Sequence, residues 1–182
     1  MSNPTAPTSN ATLNRLRAAV LGANDGIVST ASVLMGVAGA QADTKVLFTA
    51  GLAALVAGAL SMAVGEYVSV SSQRDAEKVN SKLADVAAED DEYTNPWHAA
   101  VASLLAFIVG GLVPFIAVII APGNSKIPVT VVAVILGLIT TGYFSATVGG
   151  ASRMRAVARV ITGGLIAMAI TYFVGVAFGT FV

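Results

Sequence analysis

Two apolar segments near the start of the chain decide its fold: 18-AAVLGANDGIVSTASVLMGVAGA-40 and 47-LFTAGLAALVAGALSMAVGEYVSVSSQR-74. Each is long enough to cross a bilayer, whose hydrocarbon core needs about 20 apolar residues per helix. Each also carries a carboxylate within the apolar run, Asp25 in the first segment and Glu66 in the second. An acid inside a membrane segment costs about 3 kcal/mol on insertion scales, so it is rarely found there without a partner or a function.

The composition of the whole chain indicates an integral membrane protein. Of its 182 residues, 55% are hydrophobic and 11% are charged, with a mean hydropathy of +0.79, well outside the range of soluble domains. The net charge is zero and no basic surface is available, which excludes a nucleic-acid partner. The chain has no cysteine, which excludes disulfides, thiolate metal sites and a cysteine nucleophile.

Five segments are long enough to span the bilayer, which predicts an all-α, polytopic membrane protein with one transmembrane domain over 15–182. Residues 1–14 are polar and lack a basic start followed by an apolar core, so they predict a disordered tail and not a signal peptide. Residues 72–97 predict a short cytoplasmic loop. The predicted membrane helices lie near 18–40, 47–71, 98–121, 128–150 and 157–181.

The connections between these segments alternate in charge. Eight of the ten basic residues lie before the first segment, after the second, or between the fourth and fifth. By the positive-inside rule, the N-terminus and the long loop are predicted to be cytoplasmic and the C-terminus to lie outside. The eight are Arg15, Arg17, Arg74, Lys78, Lys82, Arg153, Arg155 and Arg159, and the remaining two are Lys45 and Lys126.

Glycines recur at spacings that favour close contacts between helices. Small residues four positions apart let two backbones approach, and three glycines of the second segment recur at every seventh position. The pairs are Gly22/Gly26 and Gly175/Gly179, and the sevenfold series is Gly51, Gly58 and Gly65.

The first two segments predict an antiparallel hairpin that turns near Asp43. Asp25 lies 18 residues before this turn, Met62 lies 19 after it and Glu66 lies 23 after it. At about 1.5 Å per residue, Asp25 and Met62 are predicted at nearly the same depth, with Glu66 about one turn nearer the cytoplasm. Met62 and Glu66 are four residues apart and therefore share a helix face.

These side chains suit a divalent transition metal. Carboxylate oxygens bind hard and borderline cations, whereas a thioether favours softer ions such as Fe²⁺ or Co²⁺ over Mg²⁺ or Ca²⁺. A carboxylate must be deprotonated to bind metal, so it would lose a proton when metal binds and regain one when metal leaves. The residues therefore predict proton-coupled metal transport with Asp25, Met62 and Glu66 along the ion path, and with Glu66 as a candidate proton carrier. No tightly bound cofactor is predicted.

Each of these residues also has a simpler interpretation. Met62 could serve only for packing, Asp25 could cap a break in its helix, and Glu66 could extend to the cytoplasmic surface. His98, the only histidine, lies at a membrane boundary, which favours an interfacial position over catalysis or metal binding. The acidic run at 89–92 is typical of a solvated loop. No Ser/His/Asp set, phosphate loop or HExxH spacing occurs, which argues against an enzyme.

Three further stretches are distinctive: NDGIVSTASVLMGVAGA at 24–40, GALSMAVGEYVSVSSQRDAE at 58–77 and NPWHAAVASLLAFIVGGLVP at 95–114. They closely resemble the vacuolar iron transporter family, over essentially the whole chain after the tail. The resemblance implies a five-helix homodimer that exchanges cytosolic Fe²⁺, and often Mn²⁺, for protons and moves the metal out of the cytosol.

The resemblance also implies positions for the ion path. In the family this path lies at the dimer interface and uses an aspartate of the first helix and a methionine of the second, which match Asp25 and Met62. Glu66 matches an acidic position along the same path. The cytoplasmic loop departs from the vacuolar type, because about 25 residues and no methionine are too little for its metal-collecting helical domain. The chain therefore resembles the short form of the family.

Two functions of different classes remain open from the sequence. The first is a proton-coupled exporter of Fe²⁺, Mn²⁺ or both, in a homodimer embedded in the lipid bilayer. The second is a non-transporting membrane protein whose acids only hold helices together and which serves as an assembly partner. An enzyme that uses His98 is a distant third. The short loop and compact chain favour a bacterial cytoplasmic membrane, with a vacuolar membrane as the alternative.

Overall fold

The computed structural model describes residues 10–83 and 95–179, with side chains from 15 to 80 and from 95 to 179. These residues form five long α-helices, all of them long and apolar enough to cross a membrane. The predicted all-α fold with five membrane helices is thus confirmed. The helices are α1 (Asn10–Gly39), α2 (Thr44–Leu83), α3 (Pro96–Ile120), α4 (Lys126–Gly149) and α5 (Arg153–Gly179).

Two predicted boundaries differ from the observed helix ends, and others fall on residues that the structure does not describe. α1 begins at Asn10, within the predicted tail 1–14, and the residues before Asn10 lie outside the described part of the chain. α2 continues to Leu83, beyond the predicted membrane segment 47–71. The acidic run at 89–92 also lies outside the described residues.

α1 is the central helix of the bundle, since it contacts each of the other four. One side of it buries Ile27 and Ala31 against Leu138 of α4, at exposures of 2% or less. Leu34, three positions after Ala31 and seven after Ile27, packs against Val118 of α3. Residues at these spacings share a helical face, so one apolar face of α1 contacts both α4 and α3 along its length.

Glycine makes this central position possible by letting backbones touch. Gly22 and Gly26 lie so close to α3 that an added Cβ would overlap the backbone carbonyl groups of Ser103 and Phe107. Gly175 of α5 meets the backbone of α1 in the same way. The predicted close contacts are therefore present at both helix pairs.

The sevenfold glycine series of α2 behaves less uniformly. Gly51 lies against the ring of Phe115, and Gly58 lies against the ring of Phe107. Gly65 has no neighbouring atom within 4 Å of an added Cβ. The prediction of close contacts holds for the first two glycines, whereas Gly65 lines an open cleft and has no such contact within one chain.

The α1–α2 hairpin turns where the sequence predicted. Gln41 adopts a left-handed conformation with φ of 57°, and Asp43 accepts a hydrogen bond from the backbone N–H of Val46 through Oδ1 at 2.8 Å. A side-chain carboxylate in this position satisfies a backbone donor that the first turn of a helix leaves unpaired. The turn therefore starts α2 and fixes its register against α1.

The chain's topology separates its charges. The short connections make neighbouring helices antiparallel, so the starts of α1, α3 and α5 lie at the same end as the last turns of α2 and α4. We call this the basic end, because it carries all six arginines of the chain. Lys126 lies at the opposite end, where its ammonium group contacts the hydroxyl of Thr44. Those arginines are Arg15, Arg17, Arg74, Arg153, Arg155 and Arg159.

Candidate functional site

A cleft of about 430 Å³ opens on the side of the bundle between α1 and α2. Asp25 and Ser29 of α1 line one wall, Met62 and Glu66 of α2 line the other, and Phe107 of α3 lies between them. The structure therefore brings the three residues that the sequence singled out into one cavity.

Asp25 lies on an unbroken stretch of α1. It is half-buried, and its Oδ1 accepts a hydrogen bond from the hydroxyl of Ser29 at 2.7 Å. Ser29 lies one helical turn further along α1, so the helix itself positions this donor. Because α1 is continuous through this region, Asp25 does not cap a broken helix. The residue also lines the cleft.

Glu66 is the most buried acid among the described residues. It is 8% exposed, so its side chain does not extend to the surface of the protein. The nearest cation is the guanidinium of Arg17, whose Nη2 lies 3.6 Å from Oε1 of Glu66. That separation is too long for a hydrogen bond, and Oε1 has no hydrogen-bond partner in the structure. The carboxylate is therefore charge-compensated but retains a free oxygen.

Met62 has two kinds of contact. Its side chain is half-buried and packs against a small apolar cluster of Leu55, Ala59 and Phe107. It also lines the cleft, four residues before Glu66. Packing and ligation are thus compatible at this position, because a methionine can rest its methylenes on a cluster while presenting its thioether sulfur to a cavity.

Gly58 determines the shape of the cleft between α1 and α2. An added Cβ at this position would overlap the ring of Phe107. The ring of Phe107 is 1% exposed and closes the inner side of the cavity. The absence of a side chain on α2 therefore lets an aromatic ring of α3 form the floor of the cleft.

The outer edge of the cleft is open. The residues along this edge are exposed, and they include apolar side chains that match the surrounding membrane-facing surface. Two carboxylates consequently lie in a cavity that opens sideways from the apolar band of the bundle. The edge residues are Leu21, Val33, Ser61 and Gly65.

The side chains that line the cleft include groups that bind cations in other proteins. Two carboxylates and a thioether are ligands for borderline divalent metals, and the hydroxyls of Ser29 and Ser61 add neutral oxygens. Over the described side chains, no group of three or more His, Cys, Asp and Glu is close enough to hold a metal ion. One chain therefore supplies two acidic ligands and Met62, and no larger acidic cluster.

Sequence reasoning missed three residues that shape this cleft. Arg17 was assigned only to the charge pattern, and Ser29 and Phe107 received no role. A signal for the first two was present, since Arg17, Asp25 and Ser29 follow one another at multiples of four on the same face of α1. No sequence signal identifies Phe107, because its place depends on how α3 crosses α2.

His98 lies away from the cleft, in the first turn of α3 at the basic end. It is exposed, and its Nδ1 accepts a hydrogen bond from the guanidinium of Arg15. The neighbouring Trp97 is 65% exposed, and its ring lies 4.8 Å from that of Tyr67. Both residues lie in the first turn of a helix of membrane length, and the interfacial position of His98 stays a prediction.

Comparison with known proteins gives consistent matches along the chain. The VIT family model matches residues 16–86 and 78–176. The chain is 46% identical over 158 residues to vacuolar iron transporter homolog 2 of Arabidopsis thaliana, covering 86% of this chain and 81% of the relative. It is 46% identical over 167 residues to homolog 1 of the same plant, covering 91% and 84%. Homolog 2 of Oryza sativa subsp. japonica is 44% identical over 172 residues, covering 91% of both chains.

Proposed function

Because the chain belongs to the VIT family, we propose that it is a proton-coupled transporter that moves Fe²⁺, Mn²⁺ or both out of the cytosol. The observation that carries this proposal is the cleft that Asp25, Met62 and Glu66 line together. Residues 37 and 41 positions apart in the chain meet there, on two helices long enough to span the bilayer. The relatives' names supply iron as the first candidate substrate.

The ligand types favour a transition metal over Mg²⁺ or Ca²⁺. The thioether of Met62 adds little affinity for a hard ion but contributes to the binding of Fe²⁺. Oδ1 of Asp25 accepts a hydrogen bond from Ser29, and Oε1 of Glu66 is buried beside Arg17 without a hydrogen-bond partner. A metal bound to Oε1 would supply the partner that this oxygen lacks, once Arg17 moves away.

Proton coupling follows from the same acids. Metal binding requires deprotonated carboxylates, so metal entry releases protons and metal exit lets them return. Glu66 is the candidate proton carrier, because it is buried and lies on the side of Arg17 and the basic end. The arginines at that end favour a cytosolic N-terminus by the positive-inside rule. Metal would then enter from the cytosol at Glu66 and pass on towards Asp25.

We propose further that two copies of the chain close the cleft between them. In a single chain the open edge would leave Asp25 beside lipid, and an acid in hydrocarbon costs about 3 kcal/mol on insertion scales. A second copy packed on this edge would remove both acids from lipid and double the number of ligands. The names of the relatives also bear on the host membrane. Because they are named as vacuolar iron transporter homologs, a vacuolar membrane is favoured over a bacterial cytoplasmic membrane.

Uptake by proteoliposomes tests the transport proposal. Purified protein is reconstituted with an imposed pH gradient, Fe²⁺ or Mn²⁺ is offered separately, and wild type is compared with Asp25→Asn. We expect gradient-driven flux in wild type and its loss in the variant, because the amide removes the charge that binds metal. Asp43→Asn is the matched control, since Asp43 is an exposed acid in the turn and asparagine also caps helices.

The same experiment separates transport from a structural role for the acids. Both acids have an internal neighbour, Ser29 for Asp25 and Arg17 for Glu66, which also suits a protein that uses them only to hold helices together. In that case sealed vesicles containing intact dimers show no flux with either metal, and Asp25→Asn lowers the stability of the dimer. Full activity of Asp25→Asn would likewise overturn the proposed ion path.

A further inference from the structure

A second cleft lies on the other side of Arg17, between α1 and α4 at the basic end. It has a volume of about 400 Å³. Its polar wall residues are Arg17 and Asn24 of α1 and Thr141 and Ser145 of α4. Arg17 therefore lies between two cavities, with the Asp25–Glu66 cleft on one side and this second cleft, which we call the polar lobe, on the other.

The polar lobe continues into an apolar one. An adjoining cavity of about 390 Å³ between α1, α3 and α4 is lined almost wholly by apolar side chains, among them Leu105 and Phe144. The two cavities share Val20, Thr141 and Val148 as wall residues. Both cavities lie at the same depth along α1, near the basic end, and together they form one groove with a polar lobe and an apolar lobe side by side.

The polar lobe does not have the chemistry of a cation or proton site. Its lining residues include no carboxylate and no histidine, and its one charged group is the guanidinium of Arg17. The hydroxyl-bearing residues Thr141 and Ser145 line the α4 wall of the same lobe. The lobe therefore favours a ligand that brings hydrogen-bonding groups as well as an anionic group.

From these observations we propose that the α1–α4 cleft binds an anionic phospholipid. The phosphate pairs with Arg17, a headgroup hydroxyl forms a hydrogen bond with Ser145, and an acyl chain occupies the apolar lobe. Basic pockets between membrane helices attract anionic headgroups from the adjoining leaflet. The additional arginines at the start of α5, Arg153 and Arg155, raise the local concentration of such lipids.

Lipid binding at this cleft has a consequence for Arg17. The side chain is 59% exposed and lies 3.6 Å from Oε1 of Glu66, a loose pair that a phosphate can replace. A bound phospholipid therefore competes with Glu66 for the same guanidinium and leaves the carboxylate free for metal. This effect on transport rests on the proposed function, whereas lipid binding itself does not.

Binding is tested without metal, on the purified full-length protein in nanodiscs of phosphatidylcholine. Phosphatidylglycerol with identical acyl chains is titrated in, and bound lipid is counted by native mass spectrometry. We expect phosphatidylglycerol to bind about tenfold more tightly than added phosphatidylcholine, the factor that one charged hydrogen bond typically supplies. Arg17→Gln should remove this preference. Arg15→Gln is the matched control, because it neutralises a neighbouring exposed arginine outside the cleft.

A second variant tests the cleft without changing any charge. Ser145→Leu fills the polar lobe from α4 and does not involve Glu66, and we expect it to weaken phosphatidylglycerol binding while Arg17 remains in place. Equal binding of the two lipids would overturn the proposal, as would equal losses in Arg15→Gln and Arg17→Gln, which would indicate general attraction to the basic end. Displacement of phosphatidylglycerol by millimolar inorganic phosphate would also overturn the proposal, because it would show that the polar lobe binds a small anion. None of these results depends on whether the protein transports metal.

Discussion

Glu66 is a buried acid whose nearest cation, Arg17, is mostly exposed and lies 3.6 Å away. In the proposed transport, a metal ion and Arg17 would not both contact Oε1 of Glu66, so metal binding would require the guanidinium to move away. The pair thus gives the inner acid a charge partner when no metal is bound.

We expect Met62 to affect the choice between Fe²⁺ and Mn²⁺ more than it affects the stability of the fold. Met62→Leu conserves volume, and such exchanges usually cost less than about 1.5 kcal/mol of stability. Loss of the thioether should raise KM for Fe²⁺ roughly tenfold, a change of about 1.4 kcal/mol, and should raise KM for Mn²⁺ less, because Mn²⁺ prefers oxygen. Initial rates of uptake at varied metal concentration measure this difference.

Met168→Leu provides the comparison for that variant. Met168 is 2% exposed in the α1–α4–α5 core and does not line the cleft. Its substitution should leave KM for both metals unchanged. An equal rise of KM for Fe²⁺ and Mn²⁺ in Met62→Leu would mean that the sulfur only packs against its apolar cluster.

At the scale of elements, the contact of α1 with α3 fixes one wall and the floor of the cleft. The backbones meet at Gly26 and Phe107, and the same Phe107 turns its ring towards Gly58 of α2. A shift of α3 away from α1 would therefore move the floor of the cavity as well as the helix. Stability and cleft geometry are coupled through this one crossing.

Gly26→Ala tests this crossing. Its Cβ would overlap the carbonyl oxygen of Phe107, a backbone atom that cannot rotate away. Overpacking of this kind typically costs about 1–3 kcal/mol, more than the helix propensity gained by replacing glycine, which is about 1 kcal/mol. We expect a lower Tm in detergent, measured by the loss of monodisperse protein on heating.

Gly163→Ala is the control for the helix-propensity effect. Gly163 lies within α5 with no neighbouring atom within 4 Å of an added Cβ. This variant should match or exceed the Tm of wild type. A Gly26→Ala protein as stable as Gly163→Ala would show that α1 and α3 can separate without loss.

At the scale of the whole molecule, the chain is a multi-pass membrane protein of a transporter family. Its relatives are named as transporter homologs, so the prediction that it is not an enzyme is confirmed. Its 182 residues are consistent with the predicted short form of the family, and only 84–95 separate α2 from α3.

The proposed orientation can be read by single-cysteine labelling, because the chain has no cysteine of its own. Ser152→Cys lies in the α4–α5 connection at the basic end, and Asn124→Cys lies in the α3–α4 connection at the opposite end. A membrane-impermeant maleimide added to intact cells or organelles should reach the two positions from opposite sides, with Ser152→Cys on the cytosolic side. Labelling of Ser152→Cys from outside the cytosol would reverse the proposed direction of transport.

The proposed dimer places the open edges of two clefts together. Ser61→Cys on this exposed edge should therefore give a covalent dimer with a short bifunctional maleimide. Ile166→Cys, an exposed position of α5 outside the cleft, should remain monomeric under the same conditions on denaturing gels. Equal cross-linking at both positions would indicate random collision and not the proposed interface.

The sequence by itself determined the features that depend on local composition and period. Five apolar stretches of membrane length predicted five helices, because a bilayer leaves few alternatives for a long apolar segment. Counting from the turn at Asp43 also predicted that Asp25, Met62 and Glu66 lie near one another, since depth follows from the fixed rise of a helix. The three residues do line one cleft.

Only the tertiary structure decided how the helices rotate and cross. Three features depend on how one helix is rotated towards its neighbour. They are the pairing of Arg17 with Glu66, the ring of Phe107 beneath Gly58, and the open space beside Gly65. In a chain that is apolar on nearly every side, hydrophobic periodicity does not distinguish lipid from a neighbouring helix. The rotation of each helix is set instead by the positions at which two backbones can come into contact. Such contacts are a property of a pair of helices and not of a single segment.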